Sequence, residues 1–235
     1  MATEGEGTGA APEDASRVLG ILDHSVLAPN ATEADVLAGC RLGAALGVAT
    51  VCVQPCWAKT AAEALRDSGV KPGSVLGFPH GVTTTEAKLI EAISLLEAGV
   101  RELDMVINVG WLKSGRTEDL HEDVGSVHAV CSAAEAVLKV ILETCYLTEE
   151  EKRAGALLAA GHGVDFVKTS TGFGPAGATV EDVRLLREIL PPRTGVKAAG
   201  GIRTLAQVRE MMAAGAGRIG TSATAAIAAE LGVEV

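Results

Sequence analysis

Four times along this chain a helix-like stretch runs out in alanine and glycine, takes a short turn and enters a β-branched segment. The four are AALGVATVCV (44–53), LEAGVRELDMVI (96–107), LAAGHGVDFVKTS (158–170) and MAAGAGRIGTS (212–222). Glycine accepts the left-handed conformation that closes a helix. The apolar run after it suits a strand covered on both faces. Each unit is half of a βαβ crossover, so these segments should build a parallel sheet. Segments of the same strand character bring the total to eight, near 23–27, 49–54, 74–78, 102–108, 138–143, 165–170, 195–199 and 217–222.

Eight such strands with helices between them, in a chain of 235 residues, predict a single (βα)8 TIM barrel over residues 15–235. Residues 1–14, rich in Gly, Thr, Glu and Pro, read as a disordered N-terminal tail. The same repeat could build a doubly wound open sheet, but the first strand-to-helix turn lacks a GxGxxG. Two helix starts are legible. Thr83 and Glu86 read as a capping box, followed by the apolar positions Leu89, Ile93 and Leu96 up to Gly99. Thr179 with Asp182 opens a helix whose face is Val183, Leu186 and Leu190.

Composition narrows the function classes. A net charge of −10 leaves no basic footprint for nucleic acid or an anionic membrane. Apolar residues are 48% of the chain and the mean hydropathy is +0.29, far from the disordered regime. No run reaches the apolar length of a membrane span. The Gly- and Glu-rich start has no basic or apolar region and does not read as a signal peptide. Five cysteines (Cys40, Cys52, Cys56, Cys131, Cys145) in a well-cored chain read as reduced thiols in a cytoplasm.

Reactive groups of a barrel sit at the C-terminal ends of its strands. Three strand residues carry charge into apolar surroundings: Asp104 in GVRELDMVINVG, Lys168 in GVDFVKTSTGFGP and Lys197 in TGVKAAGGIRT. One buried strand lysine often just pairs or snorkels; two beside an Asp on central strands point to a site. Glycines follow the last three strands, in Thr171-Gly172-Phe173-Gly174, Gly200-Gly201-Ile202-Arg203 and Gly220-Thr221-Ser222. These suit a backbone nest for phosphate, with Arg203 as the charged helper. Cys52 and Cys56 lack CxxC spacing and read as two packed thiols. His24 and His80 sit at strand ends where they could line the pocket. No HxH, HExxH, GxSxG or Walker A occurs, so no metal site, serine nucleophile or P-loop is expected.

ELDMVINVG, LKVILETCYLT, DFVKTSTGFGPAGAT, GVKAAGGIRT and RIGTSA resemble the motifs of the deoxyribose-phosphate aldolase family, from about Leu22 to Ile227. The resemblance implies a class I lyase that works through a Schiff base, with no metal and no cofactor. It implies reversible cleavage of 2-deoxy-D-ribose 5-phosphate to acetaldehyde and D-glyceraldehyde 3-phosphate, a step of deoxyribonucleotide catabolism. Carried over, Lys168 is the Schiff-base lysine, Lys197 the second lysine and Asp104 the proton-relay carboxylate. Asp23 and Cys52 match substrate-side positions, and Gly172, Gly200, Gly201, Arg203, Gly220 and Ser222 fall where the family holds phosphate. The implied partner is a phosphorylated sugar, and a homodimer or homotetramer is left open. Departures are HSVL for the commoner HTLL, Phe173 and Ala223 at phosphate-side positions, and a C-terminus without tyrosine. Another phosphate-binding barrel enzyme would share the glycine loops but would not need both lysines. A non-catalytic barrel would need neither.

Elementary electrostatics favours a working pair of lysines. A free lysine is only about 0.04% amine at pH 7. An ammonium about 6 Å away, at an effective dielectric of about 20, lowers the neighbouring pKa by about 2 units.

Overall fold

The computed structural model describes residues 12–234. Eight parallel strands close in sequence order into a barrel, β1 pairing with β8. They are β1 (Leu22–Val26), β2 (Thr50–Val53), β3 (Lys71–Leu76), β4 (Glu102–Val106), β5 (Val137–Ile141), β6 (Phe166–Lys168), β7 (Gly195–Ala199) and β8 (Arg218–Thr221). The closed ring is the expected TIM barrel and removes the open-sheet alternative. Strand β3 begins three residues before its expected start, because Lys71-Pro72-Gly73 reads as a turn. The tail expected over residues 1–14 lies mostly outside the described residues. Helix α1 (Pro12–Leu19) already includes residues 12–14, and its Ala15, Val18 and Leu19 enter the core.

The helices that cover the barrel are α2 (Glu33–Leu46), α3 (Ala58–Ala64), α4 (Thr85–Glu97), α5 (Val109–Lys113) and α6 (Thr117–Ala133). They continue as α7 (Glu149–Gly161), α8 (Val180–Ile189), α9 (Leu205–Ala214) and α10 (Thr224–Glu230). All four glycines of the recurring unit, Gly47, Gly99, Gly163 and Gly215, have positive φ, which is what lets each helix turn directly into the next strand. Thr179 caps α8 as expected, and Val183, Leu186 and Leu190 are buried.

Helix α4 departs from its expected face. Its cap is Thr84, which accepts from the Ala87 amide, one residue later than expected. The buried residues are Lys88, Ala92 and Leu95, while Ile93 is 39% exposed. The cause is a buried ion pair that hydropathy patterning counts as polar. Lys88 Nζ sits 2.5 Å from Asp123 Oδ2 of α6 and donates to the Val106 carbonyl at the end of β4.

Candidate active site

Alternation along the strands sends Leu103, Met105, Val140, Val167, Val196, Ala198 and Ile219 into the apolar layer shared with the helices. The residues between them face the barrel interior, and that interior is charged. Asp104 on β4 bonds Lys168 of β6 at 2.7 Å and Lys197 of β7 at 2.6 Å, both through Oδ2. Neither strand neighbours β4 in the ring, so these contacts cross the barrel. Lys139 of β5 reaches Asp104 Oδ1 at 3.1 Å, Glu102 at 2.6 Å and Asp23 at 3.5 Å. Lys197 also pairs directly with Asp23 of β1. Below them Arg218 of β8 bonds Asp23 at 2.8 Å and Glu102 at 3.0 Å. Its guanidinium lies over the Phe166 ring, which fills the space that Gly195 leaves without a Cβ.

Four basic groups (Lys139, Lys168, Lys197, Arg218) thus share the interior with three carboxylates (Asp23, Glu102, Asp104). With every group ionised, the buried cluster carries one surplus positive charge, 4 against 3. A buried unpaired charge is the most costly arrangement available, and the group with the weakest support gives up its proton. Lys139 meets three carboxylates, Lys197 two and Lys168 only Asp104. Burial opposes the ammonium of every lysine. For Lys139 and Lys197 the carboxylates outweigh it, and both pKa values rise. For Lys168 burial prevails, helped by the Lys197 charge against Asp104, and its pKa falls. Burial also opposes ionisation of Asp23 and Asp104, but the surrounding cations hold both carboxyls well below their ordinary range. The expectation from a lysine pair alone therefore needs amending: desolvation depresses Lys168 most, and the Lys197 ammonium is a smaller contribution.

Above the cluster opens a cavity of about 500 Å³ at the C-terminal ends of the strands. Lys168 lines its floor, and Gly172, Gly200, Gly201, Arg203, Gly220 and Ser222 line its wall. Gly172, Gly200 and Gly201 have positive φ, as an anion nest requires. Gly220 is there for a different reason. It lies inside β8, where a Cβ would stand 2.9 Å from Ala199 Cβ and 3.3 Å from Lys197 Cε. Asp104, Lys197, Asp23 and Cys52 lie beneath this cavity, fully buried, rather than on its wall. Burial pushes the Cys52 thiol up to about 12, so it is an inert apolar neighbour. Cys56 is exposed, contrary to the expectation of two packed thiols. His24 bonds Thr224 of α10 at 2.9 Å, facing the helices, while His80 lines a separate cavity beside Phe173.

Sequence reasoning missed Lys139, Glu102 and Arg218. Lys139 in LKVILE satisfies the same criterion that singled out Lys168, a charge inside an apolar strand, and was legible on those grounds. Glu102 and Arg218 sit at strand starts, where charge is unremarkable.

Residues 17–229 match the model of the DeoC/LacD family aldolases. The chain belongs to this aldolase family. It is therefore a carbon–carbon lyase. This aldolase is 45% identical over 219 residues to the deoxyribose-phosphate aldolase of Caldanaerobacter subterraneus subsp. tengcongensis, covering 93% of this chain and 95% of the relative. It is 52% identical over 203 residues to that of Thermococcus gammatolerans, covering 86% and 90%. A solved tetrameric deoxyribose phosphate aldolase from Aeropyrum pernix superposes with a TM-score of 0.85 at 33% identity, covering 90% of this chain and 89% of that one. Among the described residues, no helix is long and apolar enough to cross a membrane.

Proposed function

We propose that this aldolase reversibly cleaves 2-deoxy-D-ribose 5-phosphate to acetaldehyde and D-glyceraldehyde 3-phosphate through an imine on Lys168. The observation that carries the reading is that Lys168 alone among the cluster's lysines reaches the cavity, and it alone has a lowered pKa. Its neutral amine attacks the C1 aldehyde of the open-chain sugar, and loss of water leaves a protonated imine. Asp104, acting through a water, accepts the proton of the C3 hydroxyl. The C2–C3 electron pair flows into the imine, the C3 aldehyde leaves as D-glyceraldehyde 3-phosphate, and an enamine remains on Lys168. Protonation at C2 and hydrolysis then release acetaldehyde and regenerate the amine.

Lys197 keeps Asp104 ionised and oriented. Gly172, Gly200, Gly201 and Ser222 offer backbone amides to the phosphate, and Arg203 adds charge at the rim. The free thiols of Cys40, Cys52, Cys56, Cys131 and Cys145 support a reducing compartment, the cytoplasm. Homologous assembly favours an oligomer such as a homotetramer.

Incubation with 2-deoxy-D-ribose 5-phosphate should release acetaldehyde and D-glyceraldehyde 3-phosphate in equal amounts, with EDTA present or absent. Activity that EDTA abolishes and Zn²⁺ restores would move the enzyme to a metal-dependent class.

The charge balance makes a second prediction. Lys197→Leu leaves three cations facing three carboxylates, so Lys168 can keep its proton and its pKa rises. Activity at pH 7 should fall about a hundredfold and recover in part as pH rises through the new pKa. A uniformly low rate from about pH 6 to 10 would instead make Lys197 a direct proton donor.

A further inference from the structure

Glu143 is a buried carboxylate that the mechanism above does not use. It follows β5 and is 4% exposed. Its φ of 56° and ψ of 64° are left-handed, a conformation that L side chains adopt at a cost and that persists where the surroundings demand it. The chain on either side is pinned to the segment after β6: Leu142 N donates to Lys168 O at 3.0 Å and Thr144 N to Thr169 O at 2.9 Å. Held between these two bonds, Glu143 turns its side chain onto Thr171. The Thr171 amide donates to Oε1 at 3.2 Å and to Oε2 at 3.3 Å, and the Thr171 hydroxyl donates to Oε2. That hydroxyl in turn accepts from the Phe173 amide at 3.0 Å.

One carboxylate therefore fixes three consecutive residues, Thr171, Gly172 and Phe173, all of which line the substrate cavity. Glu143 does not line that cavity. It lies behind the loop, on a second cavity of about 330 Å³ with His80, Tyr146 and Phe173. A negative charge behind a loop that receives phosphate repels the anion through space, so affinity by charge does not explain it. Its hydrogen bonds do: a carboxylate binds amide and hydroxyl donors more strongly than a neutral acceptor.

We infer that Glu143 is a positioning residue that sets the Thr171–Phe173 loop for the phosphate of the substrate. The inference rests on the phosphate reading of the cavity given above. It predicts selectivity rather than general loss, because Lys168 and Asp104 are held by the cluster below and not by this loop.

The test compares wild type, Glu143→Ala and Glu143→Gln on 2-deoxy-D-ribose 5-phosphate and on unphosphorylated 2-deoxy-D-ribose. For Glu143→Ala, KM for the phosphorylated sugar should rise about tenfold to a hundredfold, the worth of a hydrogen bond to a charged group. The free sugar should lose much less. Glu143→Gln keeps an acceptor oxygen for the Thr171 amide and should recover most of the KM. Should Glu143→Ala fail to fold, Thr171→Val removes the hydroxyl from the other end and should raise the same KM selectively. Equal losses on both sugars, or no change on either, would overturn the role. A wild type that does not prefer the phosphorylated sugar would instead refute the phosphate reading, which separates the two failures.

Discussion

Lys168→Arg should lower activity by about 10⁵- to 10⁶-fold, the scale of loss seen when a covalent nucleophile is removed. Arginine stays protonated at every accessible pH, so it cannot attack a carbonyl. Lys168→Met sharpens the argument. It removes the one basic group that the three carboxylates do not need, leaving 3 cations against 3 anions. With Lys168 neutral in the wild type, exchanging it for an apolar side chain of similar length leaves the other 3 cations and the 3 carboxylates as they were, which is often neutral or stabilising. Lys168→Met should therefore be as inactive as Lys168→Arg while melting at or above the wild-type temperature. A Met variant that keeps more than about 1% of activity, far above the residue expected without a nucleophile, would remove Lys168 from the chemistry.

Lys88→Met should cost about 3–5 kcal/mol of stability, the price of leaving a buried charge without its partner. Lys88 and Asp123 are both fully buried, and burial pushes Lys88 down and Asp123 up from their ordinary pKa values. Losing Lys88 also strips a donor from the Val106 carbonyl, leaving Asp123 with only the Thr85 hydroxyl at 3.2 Å. In a chain of this size the melting temperature should fall by about 10 °C. The double variant Lys88→Met/Asp123→Leu should regain most of that loss, because an apolar pair of similar volume does not need compensation. Thermal unfolding of the three proteins checks this. A single variant that melts within about 2 °C of wild type, about 1 kcal/mol or less, would mean the pair contributes little.

These two lysines mark how far the sequence could be read. The barrel was legible because each helix-closing glycine and the apolar run after it speak to local physics, and Gly47, Gly99, Gly163 and Gly215 all take the conformation expected of them. Lys168, Lys197 and Asp104 were legible as charges where strands should be apolar. What was not legible depends on closure. Asp104 meets Lys168 and Lys197 across the barrel, and no spacing along the chain states that distance. Asp23 and Cys52 were reachable only through family resemblance, and the structure puts both beneath the cavity floor. The face of α4 was misread for a related reason: a lysine buried against an aspartate on another helix looks solvated until the partner is seen. Gly220 lines the cavity, and its packing against Ala199 and Lys197, which excludes a side chain there, is visible only in the folded chain.

In the proposed mechanism the surplus charge of the buried cluster is relieved at Lys168, and that amine is the nucleophile. Trapping tests it most directly. The enzyme is incubated with acetaldehyde, reduced with borohydride, digested and mapped by mass spectrometry. A single reduced two-carbon adduct is expected, on the peptide containing Lys168. An adduct on Lys197 or Lys139 would contradict it.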